Sequence, residues 1–194
     1  MQGEGPGPLS RLPEVAIEHR SLHPESGGRT DVDAQVASGW SASTHPDDAG
    51  EDPIVAAYLG YLRRRPDSLV AAIRTVAAPS HEGAVLIHCA AGMDRTGVVV
   101  ALALDAAEVE RQAIVDDYFA TAERIEAIIA RLAASPTYAS EVEVFNASEF
   151  APRAETMARF LTLVDERHGG AASWLLEHGL SEAELAALRA RLAG

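Results

Sequence analysis

The sequence predicts an α/β domain, and three observations carry that reading: a short apolar run at 84–88 flanked by turn residues, an extended-type segment at 15–22, and helical patterns over most of the rest. An apolar run bounded by Pro and Gly is typical of a strand buried on both faces, so residues 84–88 are expected to be the central strand of a small, mostly parallel sheet flanked by helices. With 194 residues the chain is long enough for one substantial core and too short for two, so 1–194 is read as a single domain.

Residues 1–8 are rich in Gly and Pro and read as a linker or disordered start, and 15–22 as a short strand. Residues 23–52 mix Pro, Gly, Ser, Asp and Thr without periodicity, which predicts a long loop of the kind that borders binding sites. Asp52-Pro53 combines an N-cap with proline at the first helical position, opening a helix that should run to Arg65 and stop at Pro66. A second helix follows over 67–78, and 79–83 turn the chain into the strand at 84–88. Beyond the loop His88 to Asp94, helices are predicted over 95–107, 110–133, 152–168 and 171–178, and Ser181 with Glu184 forms a capping box that opens the last one.

The formal net charge is −13, and all 16 basic residues are Arg. No polybasic run exists to grip nucleic acid or anionic lipid, so nucleic acid is excluded as a partner, and any anionic ligand must be met by locally concentrated positive charge. No apolar stretch has the length of a membrane span and no leader is read at the start, so a cytoplasmic protein is expected. The single cysteine, Cys89, can form neither an internal disulfide nor a thiolate cluster.

Chemistry concentrates in His88-Cys89-Ala90-Ala91-Gly92-Met93-Asp94-Arg95-Thr96-Gly97, between the predicted strand and a helix, where backbone amides converge on an anion. The amides of 90–95 can wrap phosphoryl oxygens as a nest, with Gly92 supplying a backbone conformation closed to other residues; this makes Ala90, Ala91, Gly92, Met93, Asp94 and Arg95 the phosphate-binding candidates. Cys89 at the mouth faces amide dipoles and the Arg95 guanidinium, both of which favour the thiolate. Arg95 offers a planar fork to the phosphoryl group. The Thr96 hydroxyl can donate to the sulfur, and His88 is expected to hold loop carbonyls in place. Departure of an alkoxide requires a proton, for which Asp94 is the candidate acid; Glu25, Asp47, Asp48 and Asp52 on the long loop are alternatives. Asp94 could instead merely cap the following helix. The histidines show no metal-ligand grouping, and no cofactor is called for.

Cys-x5-Arg followed by Thr is the signature of the protein tyrosine phosphatase superfamily, and the fuller loop resembles that of the PtpB-like bacterial tyrosine phosphatases. Tyr58-Leu59-Gly60-Tyr61-Leu62, Val115-Asp116-Asp117-Tyr118 and the closing segment from Gly179 to Leu192 also look like that family, so the likeness covers residues 12–193. It implies hydrolysis of phosphotyrosine in a phosphorylated protein or peptide, extending to phosphoserine, phosphothreonine or phosphoinositides, with Cys89 as nucleophile, Arg95 as phosphate ligand and Asp94 as acid. Met93 stands where the family usually has Lys, which argues against phosphoinositides. The family's opening strands are not evident in this chain; the sheet should be incomplete, its edges covered by another copy or belonging to a shortened form of a longer protein. Two other readings of the loop remain: a phosphate-binding module without turnover, and a sulfurtransferase of the rhodanese kind.

Overall fold

The computed structural model describes residues 11–23, 45–78, 83–135, 138–139 and 151–192, and the positions named below belong to these. The chain forms eight α-helices there: α1 Pro53–Arg64, α2 Pro66–Ala77, α3 Asp94–Ala106, α4 Arg111–Phe119, α5 Ile125–Ala133, α6 Ala154–His168, α7 Ala171–Glu177 and α8 Glu182–Leu192. Short 3-10 turns lie at Pro46–Asp48 and Ala120–Arg124.

The expected parallel sheet is not formed: no strand occurs among the described residues, so the α/β class with a central sheet is replaced by a helical assembly. Residues 84–88 are irregular, and no described segment makes a backbone ladder with them. The physical reason lies in the ladder itself, because a helix satisfies its amides internally whereas a strand exists only through hydrogen bonds to a neighbour. Leu86 is 71% exposed, while Val85 and Ile87 rest against the core, so this run is half-covered rather than sandwiched. Residues 15–22 likewise lack strand pairing; Ile17 lies exposed and Leu22 buried.

A helix takes the place intended for the central strand. α3 packs against α1, α2, α4, α7 and α8, and its small side chains Val98, Val99, Ala101, Leu102, Ala103 and Ala106 are buried, which lets those neighbours approach. α6 closes the other side against α1, α4 and α7. Tyr58, Phe160 and Trp174 lie fully inside, so their rings belong to the core. Tyr58 meets Phe160 edge-on at 5.7 Å between ring centroids, and burial of each such ring contributes about 1.5–3 kcal/mol.

Helix ends follow the local chemistry. Asp52 caps α1 by accepting from the Ile54 amide at 2.8 Å, and Pro66 begins α2 directly after α1 ends. Gly169, at φ 73°, ends α6 in the left-handed conformation with its amide on the Asp165 carbonyl, the conformation a side chain would oppose. The Ser181/Glu184 box forms in both directions: the Ser181 amide donates to Glu184 Oε2 at 2.8 Å and the Glu184 amide to Ser181 Oγ at 3.2 Å. The helix expected over 110–133 is divided, because the chain tightens into a 3-10 turn between α4 and α5.

Candidate active site

The loop from His88 to Met93 leads directly into α3, whose first residues are Asp94, Arg95 and Thr96. A helix start leaves amides without intrahelical partners and carries the positive end of the dipole, so the loop presents donors inward. Gly92 sits at φ 74° with nothing within 4 Å of where a Cβ would be; its freedom of backbone rotation, not space, is what the turn uses. The amides of Gly92 and Thr96 both favour the thiolate form of Cys89.

Cys89 is half-buried, and burial alone pushes its thiol up. The Thr96 hydroxyl, the Arg95 guanidinium and the two loop amides together outweigh burial and hold the thiol below its ordinary value. Thr96 Oγ1 is buried and makes no hydrogen bond of regular geometry among the described residues, so it acts on the sulfur as a nearby dipole. The Arg95 guanidinium makes no hydrogen bond or ion pair among the described residues, which leaves its donor fork open among them. His88 is exposed and places Nδ1 3.4 Å from the Cys89 carbonyl.

Met93 turns its side chain into the core, 3% exposed, and its carbonyl accepts from the Gly97 amide at 2.7 Å. Ala90 and Ala91 line the loop half-buried. The Ala90 carbonyl receives the Arg131 guanidinium from α5, a tie between loop and distant helix that no sequence signal announced.

Asp94 is buried beside the loop, and burial pushes its carboxyl above the usual range, against the opposing pull of the Tyr58 hydroxyl and Arg95. The Tyr58 hydroxyl donates to Asp94 Oδ1 at 2.6 Å, and the Tyr118 hydroxyl lies 2.9 Å from that of Tyr58. Tyr118 comes that close because residue 97 is glycine: a Cβ there would stand 2.8 Å from the ring's Cδ2. The alternative acids are otherwise engaged. Asp48 is buried in ion pairs with Arg63 and Arg167, Asp52 caps α1 and pairs with Arg153, and Asp47 is exposed beside His45. Glu25 lies outside the described residues.

The arginine run 63–65 divides its tasks. Arg63 holds Asp48, and Arg65 holds Asp67, Ser68 and the His23 carbonyl. Arg64 folds back over Gly60, where a Cβ would stand 2.7 Å from its Nη1. His23, edge-on to Tyr61 at 6.0 Å, is held neutral by burial and then by Arg95 and Arg64, which bring it down to about 4. Tyr61 is pushed up to about 12 by burial and by Asp94. In a chain of net charge −13, two guanidiniums thus act on one imidazole beside the loop.

Among the described residues no cluster of His, Cys, Asp and Glu is arranged to hold a metal ion, and no helix is long and apolar enough to cross a membrane.

The triple specificity protein phosphatase PtpB of Mycobacterium tuberculosis is 34% identical over 121 residues, covering 57% of this chain and 44% of the relative. A tyrosine-protein phosphatase of Nostoc commune is 30% identical over 162 residues, covering 77% of this chain and 51% of the relative. The chain therefore spans about half the length of these curated relatives. A sequence profile of the tyrosine phosphatase family matches residues 6–194, nearly the whole chain, and the protein belongs to that family.

Proposed function

We propose that the chain hydrolyses phosphate monoesters, phosphotyrosine in proteins or peptides first among them, through a phosphocysteine intermediate. The observation that carries this reading is a half-buried thiol held below its ordinary value just before a helix, beside a guanidinium that makes no hydrogen bond or ion pair among the described residues. In the first step Sγ attacks phosphorus, the S–P bond forms, and the bridging P–O bond breaks with its electron pair on the leaving oxygen. Asp94, whose carboxyl burial shifts toward its protonated form, supplies the proton to that oxygen. Arg95 and the loop amides spread the charge of the transferring group over its equatorial oxygens. In the second step water attacks phosphorus, the S–P electron pair returns to sulfur, and the Asp94 carboxylate takes the water's proton. The Thr96 hydroxyl completes a hydrogen bond to the departing thiolate.

Substrate scope follows from charge. Met93 is buried, so no cation at 93 reaches for a second phosphate, and phosphoinositides are disfavoured against phosphopeptides. The likeness to a triple specificity phosphatase keeps phosphoserine and phosphothreonine within the proposal.

The test is hydrolysis of an aryl phosphate and of a phosphotyrosine peptide. Cys89→Ser and Arg95→Ala are each expected to abolish turnover, by at least about 10³-fold if nucleophile and phosphate ligand act as one unit. Turnover retained in Cys89→Ser would end the proposal. Vanadate raising the melting temperature while aryl phosphate stays intact would show a binding module instead.

A further inference from the structure

Three side chains far apart in sequence meet beside the loop: Tyr58 of α1, Tyr118 of α4 and Asp94 of α3. Tyr58 is fully buried, and Tyr118 and Asp94 are 5% and 9% exposed, so water does not provide their hydrogen bonds. We propose that Tyr58, backed by Tyr118, is a positioning residue for Asp94: it occupies Oδ1, leaves the transferable proton to Oδ2, and sets the pH at which that proton is lost. The proposal rests on the reading of Asp94 as the acid.

A phenol has one hydrogen to give. The Tyr58 hydrogen is committed to Oδ1 at 2.6 Å, so in the 2.9 Å contact between the hydroxyls Tyr118 is the donor and Tyr58 the acceptor. Donation runs one way, from Tyr118 to Tyr58 to Asp94, and each bond polarises the next. Before proton transfer the chain ends on the carbonyl oxygen of a neutral acid; afterwards it ends on a carboxylate, where the same bond is charge-assisted and about twice as strong. The contact therefore strengthens as the leaving group is protonated, which is the condition for lowering a barrier rather than merely holding a substrate.

Other groups act on Asp94 as well. Arg95 on its own helix favours the carboxylate; Tyr61 on α1 and Cys89 in the loop face the same region; Arg153 and Asp52 act on the Tyr118 end. Of these side chains, only Tyr58 is hydrogen-bonded to Asp94, which makes a single-atom deletion informative.

Tyr58→Phe removes one oxygen and keeps the ring that packs on Phe160. With phenyl phosphate, whose leaving group needs a proton, kcat is expected to fall about 10-fold or more at unchanged KM. The alkaline limb of the kcat–pH profile should move up by about 1–2 pH units. In kcat/KM, which reports the first step alone, the loss seen with phenyl phosphate should vanish with dinitrophenyl phosphate, whose leaving group departs unprotonated. Tyr118→Phe should move the limb the same way by less, and should add nothing in the Tyr58→Phe background. Independently of turnover, the infrared carboxyl band that Asp94→Asn removes should titrate at higher pH in Tyr58→Phe.

An unmoved limb and an unmoved carboxyl band in Tyr58→Phe, where Asp94→Asn still loses activity, overturn the proposal and leave the phosphatase reading intact. Asp94→Asn with full activity on phenyl phosphate overturns the acid assignment and the proposal with it. Should Tyr58→Phe not fold, Tyr118→Phe alone decides, since a limb and band that stay in place there break the chain of donation.

Discussion

Among the described residues two aspartates are buried, and their surroundings differ in kind. Asp48 has no exposed side-chain surface and lies between the guanidiniums of Arg63 and Arg167. Asp94 is nearly as deep, yet its hydrogen bond comes from a neutral phenol, and burial pushes its proton affinity up. Burial by itself therefore decides little about what a carboxyl does. Two cations hold the first as a structural anion; a phenol and limited solvent keep the second able to carry a proton.

The comparison breaks most visibly at the ion pairs. Asp48→Ala leaves two guanidiniums without their shared partner, and the expected loss is about 3 kcal/mol of stability. This is the low end for a buried pair because Arg63 and Arg167 keep 30% and 24% of their side chains exposed and can rehydrate. A denaturant midpoint that moves by less than about 1 kcal/mol equivalent would mean the cluster is no more than a surface pair.

Asp94→Asn should behave oppositely. Because its folded-state pKa is raised, the wild-type carboxyl supports the fold below the ordinary carboxylate range, and that support is lost as pH rises through the raised value. An amide does not titrate, so the variant should gain melting temperature relative to wild type as pH climbs from the ordinary carboxylate range through that raised value. Equal pH profiles for the two proteins would show that Asp94 ionises without penalty.

His23 sharpens the electrostatic side of the same region. Its value is depressed from 6.5 to about 4, so its contribution to stability is present above 6.5 and disappears as pH falls toward 4. The imidazole is partly open to solvent, so the slope should amount to only about 1 kcal/mol, and His23→Gln should flatten it. A slope that persists in the variant assigns the acid sensitivity elsewhere.

How legible this was depends on how local each feature is. Asp52-Pro53, Gly169 and the Ser181/Glu184 box are contained within a few residues, and their helices begin and end there. The stretch from Cys89 to Arg95 could be read for the same reason, since a cysteine, a glycine and the first turn of a helix lie in one short segment. The apolar run of 84–88 reads as a strand covered on both faces, but only Val85 and Ile87 rest against the core and Leu86 is exposed, since a ladder partner is a property of the whole fold. Tyr58 and Tyr118 stand out in the sequence only within family-like segments; that their hydroxyls converge on Asp94 is set by contacts across 36 and 60 positions. Arg63, Arg64 and Arg65 are chemically identical in sequence, and only the surrounding helices and Asp48 distinguish them.

The glycine at 97 has one more consequence. Its missing side chain is the space that a ring from another helix fills, so the identities of residues 97 and 118 are tied together although they lie on different helices. In any descendant of this sequence a methyl at 97 would be tolerated only with a slimmer residue at 118, and loss of that ring would open a void where a larger residue at 97 becomes acceptable. Substitutions at the two places should therefore travel in pairs.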